Sequence, residues 1–97
     1  MKATQGSYLA RIYVYLKETV NDPEGLTILG GLKALGFAEV ENVRAGKYIE
    51  LTINTTDEKS AEVLVTEMCD KMLANTIIEN YRFELNLISN VEADLNR

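Results

Sequence analysis

MCDKMLANTIIENYRFEL, Met68 to Leu85, is the stretch that decides the fold. Met68, Met72 and Leu73 close an apolar stripe at helical spacing, with Cys69 beside it. Asn75 can take the left-handed conformation that stops a helix. From Tyr81 the period changes from helical to alternating. Tyr81, Phe83, Leu85 and Leu87 take one face of a strand; Arg82, Glu84 and Asn86 take the other. A helix, a short turn and a strand follow one another within eighteen residues.

Upstream, Ala61, Leu64 and Val65 extend the same stripe, so the sequence predicts a helix from Asp57 to Leu73. Thr55 and Glu58 have capping-box spacing, and Asp57 is an alternative cap. Glu67 and Lys71 form an i,i+4 pair on the wet side. Before this helix, residues 40–54 read as a second β region. Val43, Ala45, Ile49, Leu51 and Ile53 share a parity that Lys47 interrupts, one residue after Gly46. Either one long strand bends there or two strands meet in a turn, and the preserved parity favours the bend.

The first half repeats the alternation of strand and helix. Tyr8 to Leu16 alternates, with Ala10, Ile12, Val14 and Leu16 on one face and Leu9, Arg11, Tyr13 and Tyr15 on the other. Asp22-Pro23-Glu24 starts a helix: Asp22 as N-cap, Pro23 at the first helical position, Glu24 at the positive end of the dipole. That helix is expected to reach Leu35, with Gly36 as its left-handed cap and Ile28, Leu29, Leu32 and Leu35 as its stripe. Gly30 and Gly31 inside it each cost about 1 kcal/mol relative to alanine. They mark either a weak helix or the close approach of another backbone. The order β-α-β(β)-α-β predicts an α+β two-layer sandwich: a small, mostly antiparallel sheet with two helices on one face. Residues 8–88 are expected to form the single domain, with loosely ordered tails at 1–7 and 89–97.

Composition bounds the function. The chain has 97 residues, 46% of them apolar, and a net charge of −5. That charge opposes nucleic-acid and anionic-membrane binding, both of which need a basic surface. With no histidine and one cysteine there is no zinc cluster, and no acidic loop has calcium spacing. Cys69 has no histidine to activate it and reads as an inert core thiol. One thiol, no signal peptide and no apolar span make the cytoplasm the expected compartment. GLTILGGLKALG lacks the spacing and terminal Lys-Ser/Thr of a phosphate-binding loop. RAGKYIEL, Arg44 to Leu51, has three readings. It is a solvated strand face, a protein interface marked with Tyr13, Tyr15 and Tyr48, or an echo of an RNA-recognition strand that the acidic charge opposes.

Three blocks carry a family resemblance. RIYVYLKETVNDPEG, VENVRAGKYIEL and MCDKMLANTIIENYRFEL stand in the order and spacing of the PurS family, the small subunit of bacterial and archaeal phosphoribosylformylglycinamidine (FGAM) synthase. The chain resembles that family from about Arg11 to Leu85 and departs from it in a longer N-terminus, in Gly30-Gly31 and in the tail after Leu87. The resemblance implies a required but non-catalytic subunit of a glutamine-dependent ligase in purine synthesis. It implies no cofactor on this chain, with ATP and glutamine used by the complex. It also implies a large PurL-like synthetase subunit and a PurQ-like glutaminase as partners, and a homodimer or homotetramer. Arg44, Lys47, Tyr48, Glu50, Asn75, Glu79 and Tyr81 are the family-signature positions and the candidate partner contacts. An ACT-like regulatory module that binds a small molecule and an RNA-binding domain are the alternatives.

Overall fold

The computed structural model describes residues 6–90, with side chains to residue 88. The elements are β1 (Gly6–Leu16), α1 (Pro23–Ala34), β2 (Gly46–Thr55), α2 (Glu58–Met68) continued by a π-helical turn at Cys69–Leu73, and β3 (Glu79–Asn90). The strands form one antiparallel sheet in the order β2-β1-β3. The expected α+β architecture with two helices is therefore present.

β1 is the central strand because its core face is apolar throughout. Ile12 stands between Ile49 and Phe83, and Ala10 between Leu51 and Leu85. Ala10, Ile12 and Val14 are at most 1% exposed. Above them lie Ala61, Val65 and Cys69, four residues apart along α2 and its π turn, and all are fully buried. The small side chains Ala10, Ala61 and Cys69 let helix and sheet approach closely, which a thin core in a short chain requires.

Asp57 is the cap that α2 uses. Its carboxylate accepts from the Ser60 backbone N–H at 2.8 Å, so the Thr55–Glu58 alternative is not the one that starts the helix. The expected helix to Leu73 is not α-helical to its end. From Cys69 the turn widens, and the Ala74 N–H reaches back to the Cys69 carbonyl at 3.0 Å.

Residues 40–54 form neither a bent strand nor a hairpin. β2 begins at Gly46, opposite Tyr15. The backbone before it is held elsewhere: the Ala45 N–H donates to the Asp22 carboxylate at 2.7 Å. Gly46 is required there because a Cβ would lie 2.6 Å from the Val14 carbonyl oxygen. β1 and β3 run past their expected ends, to Gly6 on β1 and to Glu79 and Asn90 on β3. Gly6 and Ser7, expected in a loose tail, are buried in the sheet. The expectations for 1–5 and 91–97 lie outside the described residues.

α1 does not complete the helical layer over its own sheet. It has the expected Asp22 cap, which accepts from the Gly25 N–H at 3.0 Å, and the expected left-handed Gly36 at φ +100°. Within it, Gly25 is the buried residue. Leu29 and Leu32 are half-buried, whereas Leu26, Ile28 and Leu35 are exposed. Among the described residues, no heavy atom of a neighbouring segment comes within 4 Å of a Cβ built at Gly30 or Gly31, so no described backbone outside the helix packs there.

Candidate functional site: one end and one face of the sheet

The sheet alternation sends the signature residues to different surfaces. Lys47 pairs with Val14 and lies on the helix-facing side, at the end of the sheet that α2 leaves uncovered. Glu79 pairs with Leu16 on the same side. The Lys47 Nζ is 3.9 Å from a Glu79 carboxylate oxygen, spanning the central strand. The other Glu79 oxygen accepts from the Asn75 backbone N–H at 2.7 Å. Lys47, Glu79 and Asn75 are thus brought together, and they join the second signature block to the third.

Asn75 holds this turn, though in a different way from the one expected. Ala74, with φ −130° and ψ 144°, already ends the π turn in an extended conformation. The Asn75 side chain then accepts from the Ile77 N–H at 3.2 Å, and its carbonyl accepts from Ile78 and Glu79. This is an Asx turn, the local bonding that makes asparagine a turn residue. The Lys17 N–H donates to the Ile78 carbonyl at 2.9 Å and fastens the turn to the end of β1.

Arg44 is committed within the chain. Its guanidinium donates to the carbonyls of Lys17 and Val20 at 3.0 and 3.1 Å, closing the β1–α1 loop. Asp22 completes that closure, since its carboxylate accepts from both Gly25 and Ala45. The bond from Ala45, then that from Gly25, hold its carboxyl below the usual carboxylate range, and Arg44 adds to this. The sequence shows Asp22 as a helix cap; its second bond, to a residue 23 positions away, has no local signature. Around this junction is a half-open cavity of about 250 Å³, lined by Val14, Leu16, Asp22, Glu24, Lys47 and Glu79 among others.

Tyr48 and Glu50 lie on the opposite, helix-free face. The Tyr48 hydroxyl donates to Glu50 at 2.6 Å, and this bond raises the phenol pKa. The Tyr48 and Tyr13 rings are 5.2 Å apart, tilted by 38°. The Arg82 guanidinium sits 4.0 Å from the Tyr13 ring centre, within cation–π range. Arg11 donates to Asn86 across the same face. The three strands therefore present one aromatic and charged surface on which Tyr48 is half exposed. Tyr13 and Arg82 belong to it although neither is among the seven signature positions.

Tyr81 belongs to neither group. Its hydroxyl donates to Asp70 at 2.8 Å, and that bond pushes its pKa up to about 12. Asp70 lies in the π turn, so Tyr81 ties β3 to the widened helix end. Cys69 beside it is fully buried, and burial pushes the thiol pKa up, away from nucleophilic reactivity. Among the described residues, no group of three His, Cys, Asp or Glu side chains could hold a metal ion. No described helix is long and apolar enough to cross a membrane.

An antiparallel three-stranded sheet, a covering helix, and signature side chains tied to one another define a small α+β domain. The model of the family described as PurS, phosphoribosylformylglycinamidine (FGAM) synthase, matches residues 9–87. A relative from Synechocystis sp., the FGAM synthase subunit PurS, is 52% identical over 79 residues, covering 81% of this chain and 79% of the relative. The solved structure of Bacillus subtilis PurS superposes with a TM-score of 0.73 at 48% identity, covering 81% of this chain and 98% of that one. A chain in the structure of PurLQS from Thermotoga maritima gives a TM-score of 0.74 at 28% identity, covering 84% and 98%. The chain belongs to the PurS family, a subunit of FGAM synthase.

Proposed function

We propose that this chain holds a PurL-like synthetase subunit and a PurQ-like glutaminase in register, so that ammonia released from glutamine reaches the amidation site. Ammonia lost to water is diluted and protonated, so the two active sites gain from being fixed relative to one another. ATP and glutamine are used by the partners, and this chain contributes shape and contacts. It works in the cytoplasm as a homodimer or homotetramer, without nucleic acid. The observation that carries the proposal is the likeness to the chain of the Thermotoga maritima PurLQS structure over 84% of this sequence.

Two surfaces are proposed as partner contacts: the sheet end bearing Lys47 and Glu79, and the helix-free face bearing Tyr48 and Glu50. Arg44, Asn75 and Tyr81 act there by holding the loop, the turn and the helix end that shape these surfaces. The test is reconstitution with Lys47→Ala and Tyr48→Ala variants. Weakened assembly and reduced glutamine-dependent turnover, with ammonia-dependent turnover of the synthetase less affected, support the assignment. Normal assembly and turnover would remove it.

A further inference from the structure

The chain leaves the sheet after β1 and returns to it at β2, and α1 lies in the excursion between them. The two limbs of that excursion are stapled to each other. One Asp22 oxygen accepts from the Ala45 N–H at 2.7 Å, while the other caps α1 at Gly25. Arg44 adds a second crossing, from the returning limb to the Lys17 and Val20 carbonyls of the outgoing one. The helix is seated there by its first turn. Gly25 is its buried residue, and a Cβ at that position would overlap the Val43 carbonyl oxygen. Leu26, Ile28 and Leu35 point away from this seat and are exposed.

The direction of α1 therefore depends on a few bonds at its base. With twelve residues at a rise of about 1.5 Å each, the helix reaches about 18 Å from that base. A tilt of about 10° moves its far end by about 3 Å. The base also has room to yield. The half-open cavity of about 250 Å³ lies at this joint, lined by Val14 and Leu16 of β1, Asp22 and Glu24 at the base of α1, and Lys47 and Glu79 of the other two strands. Close packing does not fill the joint, so directional hydrogen bonds hold it. Asp22 is 5% exposed, and water competes little for its carboxylate.

We infer that Asp22 is a positioning residue for glutamine-dependent synthesis: its two-sided bond fixes α1 at one angle to the sheet end that carries Lys47 and Glu79. The proposal rests on the bridging function above. A subunit that holds two others in register transmits its own shape, and the angle of α1 sets where Leu26, Ile28 and Leu35 stand relative to the Lys47–Glu79 end. Small errors matter in such an arrangement, since a misplacement of about 1 Å can cost about 100-fold in rate. Asp22 touches no reacting atom in this account; it acts through the direction of the helix it caps.

Asp22→Ser and Asp22→Asn separate the two jobs of the carboxylate. Both replacements cap helices, but each has one oxygen, and the asparagine amide would face the Ala45 N–H with a second donor. Asp57→Ser is the control, because Asp57 caps α2 at Ser60. In the Asp22 variants, amide exchange at Ala45 should speed up about 10-fold or more, while exchange at Gly25 and at Ile12 in the core stays as in the wild type. Residual dipolar couplings of α1 and of the sheet should fit one alignment frame in the wild type and in Asp57→Ser. In the Asp22 variants the α1 couplings should leave that frame. With the synthetase and glutaminase subunits and saturating variant chain, the glutamine-dependent rate should fall about 10-fold at an unchanged ammonium-dependent rate. Asp57→Ser should keep both rates, and the protected Ile12 amide separates the loss from unfolding. Unchanged Ala45 exchange, α1 couplings that stay in the sheet's frame, or an undiminished glutamine-dependent rate would each overturn the inference. Exchange and couplings are read on the chain alone, so the bond at Ala45 is tested apart from the bridging function. A wild-type chain without effect on glutamine-dependent synthesis would refute that function, and the positioning role with it.

Discussion

Gly46→Ala should unsettle the start of β2. A Cβ at Gly46 would lie 2.6 Å from the Val14 carbonyl oxygen, against 3.4 Å for ordinary contact, so one backbone must retreat by about 0.8 Å. Val14 cannot yield easily, because it is 1% exposed and packed in the main core cluster. The strain therefore falls on the Gly46–Tyr15 and Lys47–Val14 positions of the β1–β2 ladder. Overpacking of this kind costs about 1–3 kcal/mol. At about 4–8 °C per kcal/mol for a domain of this size, a 2 kcal/mol loss lowers Tm by about 8–16 °C. Circular dichroism melts at fixed protein concentration measure this directly. Gly30→Ala is the internal comparison, since nothing lies within 4 Å of the added methyl. It should stabilise the helix by about 0.5–1 kcal/mol. A Gly46→Ala protein that melts with the parent would refute the role assigned to that close approach.

Ile12→Ala should be the more damaging core change, costing about 2–5 kcal/mol because Ile12 is fully buried between Ile49 and Phe83. Denaturant midpoints at unchanged m-value would check it. Tyr81 should titrate late in an ultraviolet phenolate titration: its pKa is raised to about 12, so the stability it contributes is complete below pH 10 and lost as pH climbs from there to about 12. Tyr81→Phe should remove that late-titrating phenol and abolish this part of the alkaline loss. Asp22 and Asp57 shift the opposite way, so the stability they contribute is present above pH 3.8 and lost as pH falls through their lowered values. Acid unfolding of Asp57→Asn should accordingly depend less steeply on pH than that of the parent.

Strands and helix starts are legible in this sequence because their causes are local. The parity of Ala10, Ile12 and Val14 shows the core face of β1, and Asp22-Pro23 shows where α1 begins. The segment at 40–45 misleads, since its apolar parity mimics a strand while its backbone bonding is set by Asp22, far away in sequence. The π turn is hidden as well: Met68, Met72 and Leu73 keep helical spacing although the hydrogen bonds from Cys69 onward are wider. The seven signature positions are legible as a set, but their surfaces are not. Strand alternation puts Lys47 and Tyr48 on opposite faces, and only the partner strands reveal that Glu79 faces the first and Arg82 reaches Tyr13 beside the second. α1 carries a stripe that predicts packing, and the single chain leaves much of it bare.

Coupling between the two active sites is read out by a single comparison. FGAM formation is measured with the synthetase and glutaminase subunits present and this chain added or omitted, using glutamine and then ammonium as nitrogen donor. Omission should abolish the glutamine-dependent rate, leave most of the ammonium-dependent rate, and separate the synthetase from the glutaminase on sizing. Full glutamine-dependent synthesis without this chain would contradict the account.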